Sequence, residues 1–206
     1  MPGGLFITLE GGDGSGKSTQ SKLLAEWLAE QGRTIVTSRE PGGTELGVEL
    51  REIILHRRGY IAPRAEALLY AADRAHNIAT KVRPALERGE VVLQDRYLDS
   101  SVAYQGAGRV LDGNEIRDLS LWAAEGLLPD LTILLDLDET IGRTRLDESR
   151  TQYDRLEEEK QDFHARVRRG YLDLAAAEPD RFLVLNATDS IESIAAAIRA
   201  RIEPLL

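Results

Sequence analysis

The sequence contains no cysteine, which excludes a disulfide framework and any thiolate metal site. Histidine is also scarce: His56, His76 and His164 are scattered along the chain, and each reads as an ordinary surface or core residue. No apolar run approaches the roughly 18 residues that a membrane-spanning helix requires. The opening MPGGLFITLEGG runs directly into a strand pattern, without the charged and apolar regions of a secretory signal. These absences point to a cytoplasmic protein without a membrane partner. Positive charge is outnumbered, with 26 Lys and Arg against 35 Asp and Glu and a net charge of −9. A long nucleic-acid groove is therefore disfavoured, and only local basic sites remain open.

What is present is an alternation. The 206 residues suit one domain with a full core, expected to span 1–206. Strand patterns fall at LFITLE (5–10), TIVTSRE (34–40), VVLQD (91–95), LTILLDL (131–137) and RFLVLNA (181–187). Helical spacing fills 21–32, 45–58, 64–88, 114–125, a start at 139–147, the stretch ARVRRGYLDLAAAE, and 190–203. Five strands separated by crossover-length helices predict an α/β fold, a parallel sheet covered by helices on both faces. Ligands of such sheets bind beyond the carboxyl ends of the strands.

One of those ends carries a specific motif. Gly11-x-x-x-x-Gly16-Lys17-Ser18 fits the phosphate-binding P-loop, with a strand before it and a helix after it. Its glycines let backbone N–H groups converge on phosphate oxygens, and the helix N-terminus adds positive dipole. Lys17 is placed to reach the β and γ phosphates and Ser18 to ligate Mg²⁺. Asp95, ending the apolar strand VVLQD, sits where such proteins put a metal-organising carboxylate.

The rest of the chain disfavours several P-loop classes. A switch GTPase needs D-x-x-G after the third-strand acid, and none occurs there; NATD (186–189) has Ala187 where the guanine-reading motif has lysine, and reads as a turn capped by Asp189 or Ser190. A helicase or motor wants more chain and a polynucleotide surface. A small kinase remains. If its acceptor is itself a phosphate, with a second pKa of about 6, no general base is needed. The obstacle is bringing two polyanions in line, which calls for arginines.

Arg39 and Arg96 both lie at carboxyl ends of predicted strands. Tyr70 and Arg74, four residues apart on one helix, share a face. That pair suits a nucleobase, although a core Tyr with an Arg paired to a surface acid satisfies the same spacing. Arg143, Arg145, Arg150 and Arg155 crowd a segment interrupted by ESRTQYD. Their density favours a flap closing over phosphates, against a solvated helix neutralised by its own acids.

The stretches LEGGDGSGKSTQ (9–20), REPGGT (39–44), LLYAADRAHN (68–77), DRYLDSSVAYQG (95–106) and DRLE (154–157) together resemble the thymidylate kinase family over essentially the whole chain. The DRY…S…AYQG run separates this family from adenylate, guanylate and cytidylate kinases. The resemblance implies a P-loop, nucleoside monophosphate kinase-like fold, a homodimer, and transfer of the γ-phosphoryl of ATP, with Mg²⁺, to dTMP, giving dTDP. It implies that Gly11, Gly12, Asp13, Gly14, Ser15, Gly16, Lys17, Ser18 and Thr19 hold the ATP phosphates. It also implies that Asp13 contacts the acceptor's 3′-OH and that Arg39 and Arg96 hold its phosphate. Tyr70 matches the ring stacked on thymine, Arg74 the donor to O4, and Ser101 and Gln105 positions near N3. Tyr104 matches the aromatic packed beneath the 2′ carbon. Family members with Arg directly after the P-loop acid differ from this sequence, which has Gly14; a basic lid at about 143–157 takes over, with Arg150 preferred to Arg155 at the transition state and Arg143 directed to the adenine. A kinase for another nucleotide or nucleoside, or a non-catalytic P-loop module, are the rival readings.

Overall fold

The computed structural model describes residues 3–57, 59–149 and 153–206. Five parallel strands, β1 (Leu5–Glu10), β2 (Ile35–Arg39), β3 (Val91–Asp95), β4 (Leu131–Asp136) and β5 (Phe182–Asn186), form one sheet in the order β2-β3-β1-β4-β5. The apolar residues of β1 divide between two faces, as the two-residue period of a strand requires. Leu5, Ile7 and Leu9 meet Leu24 and Leu28 of α1 (Lys17–Glu30) and Ile194, Ile198 and Ile202 of α9 (Ile191–Ile202). Phe6 faces the other way, into a cluster with Val92, Ile78, Val82 and Tyr97. Burial on both faces explains why β1, β3 and β4 read as nearly continuous apolar runs.

The remaining helices are α2 (Glu45–Arg51), α3 (Pro63–Asn77), α4 (Arg83–Glu87), α5 (Leu98–Ser101), α6 (Gly113–Ala123), α7 (Glu139–Ser149) and α8 (Gln161–Ala177). The expected helix at 64–88 is one continuous rod, with a wider π-type turn over Ile78–Val82 joining α3 to α4. Helix α2 likewise continues as a π-type turn over Glu52–His56. A third π-type segment, Val102–Gly108, extends α5 and carries Tyr104 and Gln105; such segments concentrate at functional sites. Helix α1 begins at Lys17, four residues before the expected start, because its first turn is P-loop and carries no apolar period. Ser190 caps α9 by accepting from Ser193 N at 3.1 Å.

Because β2 and β3 lie to one side of β1 and β4 and β5 to the other, chain direction across the sheet reverses beside β1. That switch point opens a crevice at the carboxyl ends of β1 and β4.

Candidate active site

The loop after β1 is built by backbone conformations that glycine permits. Gly11 and Gly14 have φ of 133° and 76°, in the left-handed region. A Cβ on Gly14 would also lie 2.8 Å from the carbonyl of Gly142 in α7. Gly14 thus lets α7 sit against the loop, and Arg145 seals the contact by donating to Gly14 O at 3.1 Å and to Ala187 O at 3.2 Å. The loop side chain Ser15 is buried, and its hydroxyl meets no partner among the described residues.

Lys17 is buried, and its Nζ donates to the carbonyls of Gly11 and Gly12 at 3.0 and 2.9 Å. Burial and the neighbouring Arg96 push its ammonium down to about 8, against the pull of Asp13, Asp95 and Glu10. Ser18 and Asp95 are brought together on the wall of one open depression. Asp95 Oδ1 is buried without a hydrogen-bond partner among the described residues, which is the condition a carboxylate awaiting a cation should show.

Arg96 follows Asp95 in a strained left-handed conformation, φ 65°. The bend carries its guanidinium to Asp13, where Nη2 donates to Oδ1 at 2.6 Å. Burial would raise the Asp13 carboxyl, but Arg96 and Lys17 hold it below the usual carboxylate range. The guanidinium also lies 5.0 Å over the Tyr104 ring and donates to Tyr171 Oη at 3.3 Å. Beneath it Glu10 accepts from Tyr97 N, Ser100 Oγ and Tyr171 Oη at 2.7, 2.6 and 2.9 Å. Full burial, with Asp99 nearby, pushes Glu10 up to about 7.

Beside this pair opens a cavity that gathers Asp13, Tyr70, Arg74, Arg96, Ser101, Tyr104 and Gln105, seven of the eight residues expected on the acceptor side. Arg74 is neither paired to a surface acid nor free. It is buried, with Nε donating to the buried Glu40 at 2.9 Å, Nη1 to Ser120 Oγ at 3.0 Å and Nη2 to Ser101 Oγ at 3.1 Å. Burial pushes Glu40 up to about 7, while Arg74 and Asn77 pull it back. Ser101 therefore both orients Arg74 and lines the cavity.

The eighth residue is elsewhere. Arg39 is exposed and lines the depression shared by Ser18 and Asp95. The PGG turn lies between, its Pro41 on the cavity side and its Gly42 and Gly43 on the depression side. The second arginine in the cavity is Arg51, held by donation to Pro41 O at 3.0 Å. Its guanidinium is pushed down by burial and by the charges of Arg39 and Arg96, against the pull of Asp154 on the same cavity wall. Sequence reasoning missed Arg51, although a helix over 45–58 places it one turn from Gly47, on the same face.

The arginine-rich segment is docked, and its side chains are occupied. Arg143 stacks on Tyr153, 4.0 Å from the ring centroid, and donates to Glu157 O at 2.8 Å, so it does not stand free for an adenine. Arg155 points away from the phosphate loop: Nε donates to Ile54 O at 2.8 Å and Nη2 lies 2.5 Å from Glu66, by proximity rather than a directed hydrogen bond. Arg150 lies outside the described residues. His164, read as an ordinary residue, lines a second cavity beside Gly11, Gly12 and Asp13, and its charge, when present, acts on Asp13.

Sheet order, phosphate loop and acceptor-side cavity define a P-loop kinase fold of the nucleoside monophosphate type. The thymidylate kinase family model matches residues 9–198. A thymidylate kinase of Leifsonia xyli subsp. xyli (strain CTCB07) is 74% identical over 200 residues, covering 97% of this chain and 95% of its own length. One from Deinococcus radiodurans is 51% identical over 202 residues, with 98% of each chain covered. The crystal structure of thymidylate kinase from Ehrlichia chaffeensis superimposes with a TM-score of 0.79 at 32% identity, covering both chains fully. The chain belongs to the thymidylate kinase family.

The buried Glu40–Arg74 pair yields a direct test. Glu40→Ala leaves a buried guanidinium without its counter-charge, so stability should fall by about 3–5 kcal/mol. Urea unfolding monitored by circular dichroism reads this; a loss below about 1 kcal/mol would show that the pair is not needed to keep Arg74 buried.

Proposed function

We propose that the chain transfers the γ-phosphoryl group of ATP to dTMP, giving dTDP. The observation that carries this reading is the cavity beside the P-loop, which combines an aromatic wall, a donor-rich base edge and a cationic end at Arg51 and Arg96. Two phosphates of like charge must meet between Lys17 and Arg96. The P-loop amides and Lys17 are suited to the donor phosphates, and Arg51 and Arg96 to the acceptor phosphate. Arg39, outside the cavity, is assigned to neither. Asp13 holds Arg96 in place and presents its second oxygen to the acceptor's sugar. Tyr70 stacks on the base, Arg74 donates to O4, and the Tyr104 ring closes the space a ribose 2′-hydroxyl would need.

Ser18 and Asp95 would hold the Mg²⁺ that accompanies ATP, consistent with an ion that takes few protein carboxylates and relies on substrate phosphates. Bound there, Mg²⁺ neutralises charge developing between the β and γ phosphates. Residues 143–157 act as the lid. With Arg155 tied to Ile54 and Glu66, Arg150 is our first assignment for the transition-state arginine. The enzyme works as a homodimer in the cytoplasm. Leu46 and Val48 of α2, Leu68 of α3 and Trp122 of α6 expose apolar surface on three helices that pack side by side, and that surface supports the dimer.

Three measurements test the reading. With ATP and Mg²⁺, dTMP should give the highest kcat/KM among dTMP, dUMP, UMP, dCMP and thymidine; preference for any other acceptor overturns it. ATP binding at pH 8.5 should be accompanied by proton uptake, because Lys17 is partly neutral above about 8 and polyphosphate restores its charge. Calorimetry in buffers of different ionisation enthalpy reports the sign, and proton release or no exchange would refute the shift. Light scattering should give twice the 22.8 kDa chain mass, and Leu68→Glu with Trp122→Glu should give monomers; a monomeric wild type at micromolar concentration excludes the dimer.

A further inference from the structure

Glu66 lies outside the stretches that carry the family resemblance, and no step of the proposed reaction uses it. It is nonetheless fully buried, on the first turn of α3. Its Oε1 accepts from Gln105 Nε2 at 2.9 Å and from Arg109 Nε at 3.2 Å; its Oε2 accepts from Arg109 Nη2 at 3.2 Å and faces Arg155. A buried carboxyl is ordinarily driven neutral, but the hydrogen bonds from Arg109 and Gln105 hold this one below the usual carboxylate range.

An ionised carboxylate can only accept hydrogen bonds. The end of Gln105 that meets Glu66 must therefore be its NH₂ group, and its carbonyl oxygen must point the other way. Gln105 is buried and lines the acceptor-side cavity, and among the described residues no donor meets that oxygen. The opposite flip would set an amide oxygen against a carboxylate oxygen, two acceptors without a proton between them.

We propose that Glu66 is a positioning residue that determines base specificity: by fixing the Gln105 carboxamide with its oxygen toward the cavity, it makes the site read a ring N–H. Thymine and uracil present N3–H beside the O4 carbonyl, which match the Gln105 oxygen and the Arg74 donors. Cytosine presents a bare N3 and an exocyclic amine, so acceptor meets acceptor and donor meets donor. A Gln105 free to flip would satisfy N3 of cytosine and remove half of that mismatch. The inference rests on the reading that a pyrimidine nucleoside monophosphate is the acceptor.

The test is the ratio of kcat/KM for dTMP to that for dCMP. Glu66→Gln can accept or donate, so it no longer dictates the flip, and the ratio should fall roughly ten- to a hundredfold. Gln105→Ala should lower the ratio similarly, and adding Glu66→Gln to it should change the ratio no further. If Glu66 were merely structural, Glu66→Gln would lower kcat/KM for both acceptors and leave their ratio unchanged, which overturns the proposal. Should Glu66→Gln fail to fold, Gln105→Ala decides: a wild-type ratio there overturns the proposal, since Glu66 would have nothing to act through. A wild-type protein inactive on dTMP would instead refute the functional reading, so the two failures are separable.

Discussion

The contact between Arg96 and Asp13, at 2.6 Å, is where the two halves of the site join. Asp13 belongs to the P-loop, to which the proposed reaction assigns the donor phosphates, and Arg96 belongs to the wall of the cavity beside it. A carboxylate inside a phosphate cradle is electrostatically adverse by itself. Paired with Arg96 it leaves the loop's amides free for anions and fixes a cation at the junction where, in the proposed reaction, both phosphates meet. The backbone strain at Arg96, the Glu10 network beneath it and the Tyr104 ring against it all serve to hold that guanidinium in one place. Lys17 feels the same cation, which is one reason its ammonium is lowered in the free protein.

Much of this architecture is legible in the sequence because it obeys local rules. The apolar runs at β1 and β3 coincide with the observed strands, since strands buried on both faces are apolar throughout and end at glycine or charge. The P-loop is legible because its glycines are demanded by backbone geometry, and Tyr70 with Arg74 because helical spacing puts them on one face. The spacing does not show what Arg74 binds. Its partner Glu40 comes from the turn after β2, 34 residues earlier in the chain, and only the tertiary fold brings them together.

Two arginines lie apart from the positions expected of them, for one physical reason. Arg39 and Arg155 are long, flexible side chains whose Cα positions lie near the site, and a sequence does not tell which way such a chain points. Arg39 and Arg51 flank the same Gly42 of the PGG turn, but Arg51 lines the cavity and Arg39 the depression beside it. Arg155 finds the buried carboxylate of Glu66, which outcompetes open solvent above the P-loop because an unpaired buried charge is costly. His164 is not marked by any of its neighbours along the chain; only α8 folding over β4 and β5 puts it on the cavity wall with Asp13.

Gly14 connects these points. A side chain there would meet both a disfavoured φ and the carbonyl of Gly142, so the close packing of α7 on the P-loop and an arginine within the loop are mutually exclusive in this arrangement. What α7 gains by the approach is Arg145, whose guanidinium bonds the loop carbonyl and the turn after β5 at once. The arginine-rich segment is thereby anchored at its start by Arg145 and at its end by Arg155.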